Sequence, residues 1–214
     1  MKLLVASIAL FLMAATGVSA QTAQSQVEVM LRVHTSGNTS SLIVGPAMSE
    51  ASRVLGTAGV RIRWEFAGRP RNHDVHDCEG TAGQVIDLLL TDRGTKDAHV
   101  GVLGYAMPLA RTGTQVVIFT DPVAALAPLS KRTLLGYTIA HEVGHILIGT
   151  FSHSPSGVMQ AHWRPADYSL MTVLLLSFTA EDADTMRGHV RHNTNSCMAE
   201  RMLADRMNAR AAEQ

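Results

Sequence analysis

Apolar and polar positions change period several times along the chain, and each change marks an element. From Val27 to His34 the residues Val27, Val29, Leu31 and Val33 alternate with polar or flexible ones, the period-two signature of a half-buried strand. A turn-rich stretch, Thr35 to Ser41, follows. Pro46 to Ala58 then places Ala47, Ala51, Val54, Leu55 and Ala58 at helical spacing, with Gly59 as a stop. Alternation resumes at once through Val60, Ile62, Trp64 and Phe66, which predicts a second strand. A loop rich in Gly, Pro, Asn and Asp runs on to Gly83. Val85 to Leu90 and Gln115 to Thr120 are short apolar runs bounded by turn signals, as inner strands are, and Val100 to Met107 fits a weaker edge strand between them. Leu134 to Ile148 puts Leu135, Ile139, Val143 and Ile146 on one face of a helix that Gly149 ends. The apolar run Leu170 to Phe178 reads as a buried helix. A last helix is signalled by Thr179 as cap, Glu181 and Asp182 in the first turn, and Arg187 and Arg191 further on. No repeat or low-complexity tract interrupts this order, which describes an α+β fold.

The first residues have a different pattern. Lys2 is followed by an apolar run, Leu3 to Ala15, broken only by Ser7, and by the small residues Val18-Ser19-Ala20. A charged start, a short apolar core and small residues at a cut site are the parts of a secretory signal peptide, so residues 1–20 are expected to be removed. About 13 apolar residues are too few for the roughly 20 that a spanning helix requires, and Leu170 to Phe178 is shorter still. The mature chain, residues 21–214, is expected to be a single domain without a membrane span, secreted or periplasmic.

Composition adds two constraints. Lys plus Arg and Asp plus Glu number 18 each, so no basic excess points to nucleic acid and no acidic tail to a cationic partner. The chain has 2 cysteines, Cys78 and Cys197, neither with a neighbour at metal-motif spacing. In an oxidising compartment their favoured state is a Cys78–Cys197 disulfide, which would close a long loop.

The chemistry is concentrated in the segment HEVGH. Residues four apart on a helix lie nearly above one another, so His141 and His145 can direct ring nitrogens at one metal ion about 2.0 to 2.1 Å from each. Glu142 is rotated by about 100° from His141, beside the open position of such an ion, where its carboxylate can take a proton from water. Gly144 keeps that side uncrowded. For a third ligand the spacing favours His153. From His145 to Gly149 the helix climbs about 6 Å, while the four residues from Gly149 to His153 can span up to about 13 Å. Gly149 accepts the left-handed conformation that this reversal needs. Glu181 and Asp167 are the reserve ligands. His162 and Tyr168 follow closely enough to stabilise a developing negative charge. Asn72-His73-Asp74-Val75-His76-Asp77 offers several potential ligands for a second metal close together, but a polar loop between strands carries such residues for solubility alone. His34 and His99 have no partner pattern, and His189 and His192 beside Arg187 and Arg191 read as a solvated helix face.

His141, Glu142, His145, Gly149, His153 and Met159, with the segment HSPSGVM, resemble the metzincin clan of zinc peptidases and its matrixin-type members, whose motif is HExxHxxGxxH followed by a methionine turn. Here the glycine falls eight residues after His141 rather than seven, and the last histidine twelve after it rather than ten, so the likeness is to a divergent member. It implies a mixed twisted sheet with one packed helix and one active-site helix, then a small C-terminal part with the methionine turn and a helix. It also implies Met159 as an apolar floor under one Zn2+ per chain, and hydrolysis of peptide bonds in a peptide or protein substrate with Glu142 as general base. The competing reading is an inactive zinc-binding envelope or secreted protein. Glu142 argues against it, because a structural zinc has four closed ligands and no use for a neighbouring base.

Overall fold

A computed structural model describes residues 26–37, 39–67, 84–92, 102–109, 115–121 and 131–212. Strand β1 (Val27–Ser36) shows the expected alternation, with Val27, Val29, Leu31 and Val33 buried and the residues between them half-buried. Helix α1 (Ser41–Thr57) carries the chain back, and β2 (Val60–Phe66) then pairs with β1 in parallel from Val27↔Val60 onward. A parallel pair needs such a crossover, because a tight turn cannot return the chain to the same end of the sheet.

On the other side of β1 lies β3 (Val85–Thr91), also parallel, then β5 (Val116–Phe119), parallel again. The outer strand is β4 (Gly104–Ala106), antiparallel to β5, giving the order β2-β1-β3-β5-β4. Register puts Leu31 beside Ile86, Val33 beside Leu88, Leu88 beside Val116 and Leu90 beside Ile118, so one face of the sheet is a continuous apolar surface. Helices α1 and α2 (Lys131–Ile148) pack on each other and against this sheet. After them come α3 (Pro165–Thr172) and α4 (Ala180–Ala212). The fold is the mixed α and β arrangement expected, and among the described residues no helix is long and apolar enough to cross a membrane.

Four local readings change. Helix α1 begins at Ser41 rather than Pro46. Pro46 has no amide hydrogen for the carbonyl of Leu42, but Leu42 stands 85% exposed, where water can replace that bond, while Val44 adds to the core. Helix α2 is buried on every face from Leu134 to Leu147 rather than on one stripe. The expected helix over Leu170 to Phe178 is instead the end of α3 followed by an extended segment. Pro165 sets the start of α3, and Asp167 accepts the Arg164 amide at 2.8 Å to close its first turn. The helix stops where Leu174 takes a left-handed φ of 62° and Leu175 donates back to the Leu170 carbonyl at 2.8 Å. Beyond it Leu176 and Phe178 are buried and Val173, Leu174 and Leu175 are exposed.

The fourth change concerns α4. Its start is as expected: Thr179 Oγ1 accepts the Asp182 amide at 3.1 Å, and Asp182 accepts the Thr179 amide at 3.3 Å. Arg187, however, is buried rather than solvated, donating to the carbonyl of Ala58 at the end of α1 and pairing with Asp184. His189 packs against Gly149, and His192 is exposed. Residues 72–77, His99 and Cys78 lie outside the described residues.

Candidate metal centre

The buried middle of α2 places His141 and His145 one above the other. His141 Nδ1 lies 2.8 Å from the carbonyl of Val158, and His145 Nδ1 lies 2.9 Å from that of Thr150. A carbonyl can only accept, so both rings carry their proton on Nδ1, and both Nε2 atoms present bare lone pairs. Those two Nε2 atoms are 3.2 Å apart. Two lone pairs at that distance repel unless a cation lies between them. For ligands about 2.05 Å from a tetrahedral ion the expected separation is about 3.3 Å.

His153 completes the group. Gly149 has φ 77°, its amide donates to the His145 carbonyl at 2.9 Å, and the Thr150 amide reaches the same oxygen at 3.3 Å. The helix therefore ends in the left-handed turn that the spacing called for, and the chain returns over its own last turn. The His153 ring lies 5.4 Å from that of His141, nearly parallel to it, and 4.8 Å from that of His145, edge to face. One ligand atom from each of the three lies within 4.8 Å of the others. Three imidazoles, two of them with tautomers fixed by backbone carbonyls, are a donor set that suits zinc and other first-row transition metals.

Burial also keeps these rings in the neutral, ligating form. It holds His141 down at about 4 and pulls His145 below the ordinary histidine value; His153, more exposed than the other two, is lowered by partial desolvation, with charge on His162 adding to the effect. Glu142, between the two helical histidines and only 9% exposed, is moved the other way, its carboxyl raised by burial to about 7. Gly104 on β4 faces it. A Cβ at that position would fall 3.3 Å from Glu142 Cγ and 2.6 Å from the Val117 carbonyl, so only glycine lets the edge strand approach so closely.

The three histidines and Glu142 line a cleft of about 410 Å³, with residues 102–106 and residues 160–163 among its walls. His162 and Tyr168 line the same cleft, His162 exposed and Tyr168 half-buried against Trp163. Met159 is fully buried under the site, and the reason for Gly144 is more specific than lack of crowding, since a Cβ there would meet Met159 Sδ at 2.5 Å. The loop between His153 and Met159 is closed by the Ser154 amide, which donates to the Met159 carbonyl at 2.9 Å, and by Ser154 Oγ, which donates to Asp182 at 2.6 Å.

The reserve ligands stand elsewhere. Asp167 is turned toward Arg164. Burial pushes its carboxyl up, but bonds from the Arg164 amide, Gln160 and the Arg164 guanidinium together hold it below the usual range. Glu181 is exposed in the first turn of α4. Neither belongs to the histidine group. His34 pairs with Asp87 at 2.9 Å, away from the cleft. Trp163, Gly104 and the carbonyls of Val158 and Thr150 also belong to the site, though the motif itself does not include them. A tryptophan four residues beyond Met159 was the one visible signal among them.

No family model and no curated protein matches the chain. Among solved structures it is similar to the crystal structure of archaemetzincin from Methanopyrus kandleri, with a TM-score of 0.45 and 18% identity over 79% of this chain and 98% of that one. Values that low carry no functional inference, which rests instead on the three histidines and Glu142.

Proposed function

We propose that the chain is an exported zinc-dependent endopeptidase, a divergent metzincin-like enzyme in which His141, His145 and His153 hold one zinc ion and Glu142 is the general base. The observation that supports it most is the pair of bare Nε2 lone pairs facing each other at 3.2 Å, with a third imidazole beside them and a buried carboxyl in the same cleft. When bound, the ion supplies Lewis acidity to a carbonyl oxygen and to water.

The remaining steps belong to the chain. Glu142 takes a proton from the water whose oxygen adds to the carbonyl carbon, then delivers that proton to the amine nitrogen as the C–N bond breaks. Burial raises the Glu142 carboxyl to about 7 in the metal-free site, and a bound cation would favour the ionised form that accepts the water proton. His162 and Tyr168 line the cleft and would hydrogen-bond the oxygen that gains negative charge. Met159, buried against Gly144 of α2, would form the apolar floor of the site. Export rests on the pattern of residues 1–20.

The test compares the mature protein with Glu142→Gln in metal content and in hydrolysis of a mixed peptide library. About one zinc per chain is expected in both, and cleavage only in the parent. Equal cleavage by the two proteins, or a parent without zinc, overturns the proposal. Stoichiometric zinc with no cleavage by either protein favours the inactive zinc-binding reading.

A further inference from the structure

The carbonyl of Val158 has two partners. His141 Nδ1 lies 2.8 Å from it and Trp163 Nε1 lies 3.1 Å from it. A carbonyl oxygen has two lone pairs and an indole N–H can only donate, so these two side chains use that oxygen completely. The amide of Val158 is tied as well, donating to the Ser177 carbonyl at 3.0 Å, and Val158 is fully buried. The residue whose carbonyl sets the orientation of His141 is thus held through both of its backbone groups, and Trp163 supplies one of the holds.

The indole is itself firmly placed. Its ring meets His141 edge to face at 5.6 Å, Tyr137 at 6.5 Å and Tyr168 at 6.5 Å, which puts it in the corner between α2 and α3. Tyr137, one turn before His141, is anchored by Arg53 at 2.9 Å and by the Leu176 carbonyl at 3.1 Å. A rotation of His141 about its side-chain bonds would have to break the Val158 bond and displace the edge of the indole.

On the zinc reading above, we propose that Trp163 is a positioning residue for the metal centre: through the Val158 carbonyl and by edge contact it fixes the direction in which His141 Nε2 points. Groups hydrogen-bonded directly to a metal ligand typically contribute about 10-fold to 100-fold in metal affinity, and Trp163, one hydrogen bond further out through Val158, is expected at the low end of that range, about 10-fold at most. Trp163→Phe keeps an aromatic ring but removes the N–H. Replacement by benzothienylalanine keeps the bicyclic ring and exchanges the N–H for sulfur, so packing and the hydrogen bond are tested separately.

Zinc affinity by chelator competition and the visible absorption spectrum of the cobalt(II)-loaded proteins are the readouts, with circular dichroism of the metal-free proteins as the check on folding. Both replacements should weaken zinc binding by up to about 10-fold and shift the cobalt bands, since the angle of one ligand has changed. Wild-type affinity and an unchanged cobalt spectrum in both would overturn the proposal. Loss in Trp163→Phe alone, with the isostere normal, would also overturn it, leaving Trp163 a packing residue. A parent protein that takes up no stoichiometric metal refutes the zinc reading itself, a separate result.

Discussion

Glu142 should be costly to the metal-free protein, and the cost should depend on pH in a defined direction. Its carboxyl moves from an ordinary value of 4.5 to about 7 because burial disfavours the charged form. Between those values the unfolded chain has released the proton and the folded chain retains it, so stability falls as pH rises through that window. One unit is worth about 1.4 kcal/mol, which makes the full penalty on the order of 3 kcal/mol above pH 7. Glu142→Gln removes the titrating group and nearly preserves shape. Urea unfolding of the chelator-treated parent and variant at pH 5 and pH 8, with equal m-values, measures the difference. The variant should gain about 2 to 3 kcal/mol over the parent between those two pH values, because contributions from other groups cancel in the comparison. Zinc should narrow the gap, since a nearby cation favours the ionised carboxylate. A gap that stays flat or shrinks as pH rises would refute the reasoning and place the carboxyl in contact with water.

Other outcomes follow from the packing, from the two cysteines and from the pattern of the first 20 residues. Gly144→Ala should destabilise by about 1 to 3 kcal/mol through collision with Met159 Sδ, seen as a lowered midpoint of thermal unfolding, and an unchanged midpoint would mean that the floor is loosely packed. Non-reducing peptide mapping of exported protein should recover Cys78 and Cys197 as a linked pair, and two free thiols would remove the disulfide. Intact-mass analysis of the exported protein should show a chain beginning at Gln21, and an uncut chain would remove the signal peptide.

What could be read in the residues, and what could not, divides by the kind of force involved. The strand β1 was visible because its alternation depends only on one buried face, and the same face fixes the register with Ile86 and Leu88. The reversal after α2 was visible because Gly149 adopts a backbone conformation that side chains penalise. The run from Leu170 to Phe178 misled because an apolar segment of that length satisfies a buried helix and an extended segment equally. Its shape was decided by Leu174 and by Pro165 at the start of α3. Arg187 was misplaced because its partner, the Ala58 carbonyl, lies 129 residues away and backbone acceptors leave no mark in sequence. The same holds for the carbonyls of Val158 and Thr150, which orient His141 and His145.

The spacing from His145 to His153 is where this chain departs from the clan it resembles, so it is the sharpest place to test whether three histidines hold the metal. Zinc affinity is to be measured by chelator competition at one fixed pH for His145→Ala, His153→Ala, Asp167→Ala and Glu181→Ala, because ligand protonation makes the constants pH-dependent. Severe and similar losses in His145→Ala and His153→Ala, with Asp167→Ala and Glu181→Ala near the parent, are the predicted result. Parent-like affinity in His153→Ala, or loss of the metal in either carboxylate variant with His153→Ala intact, would contradict it.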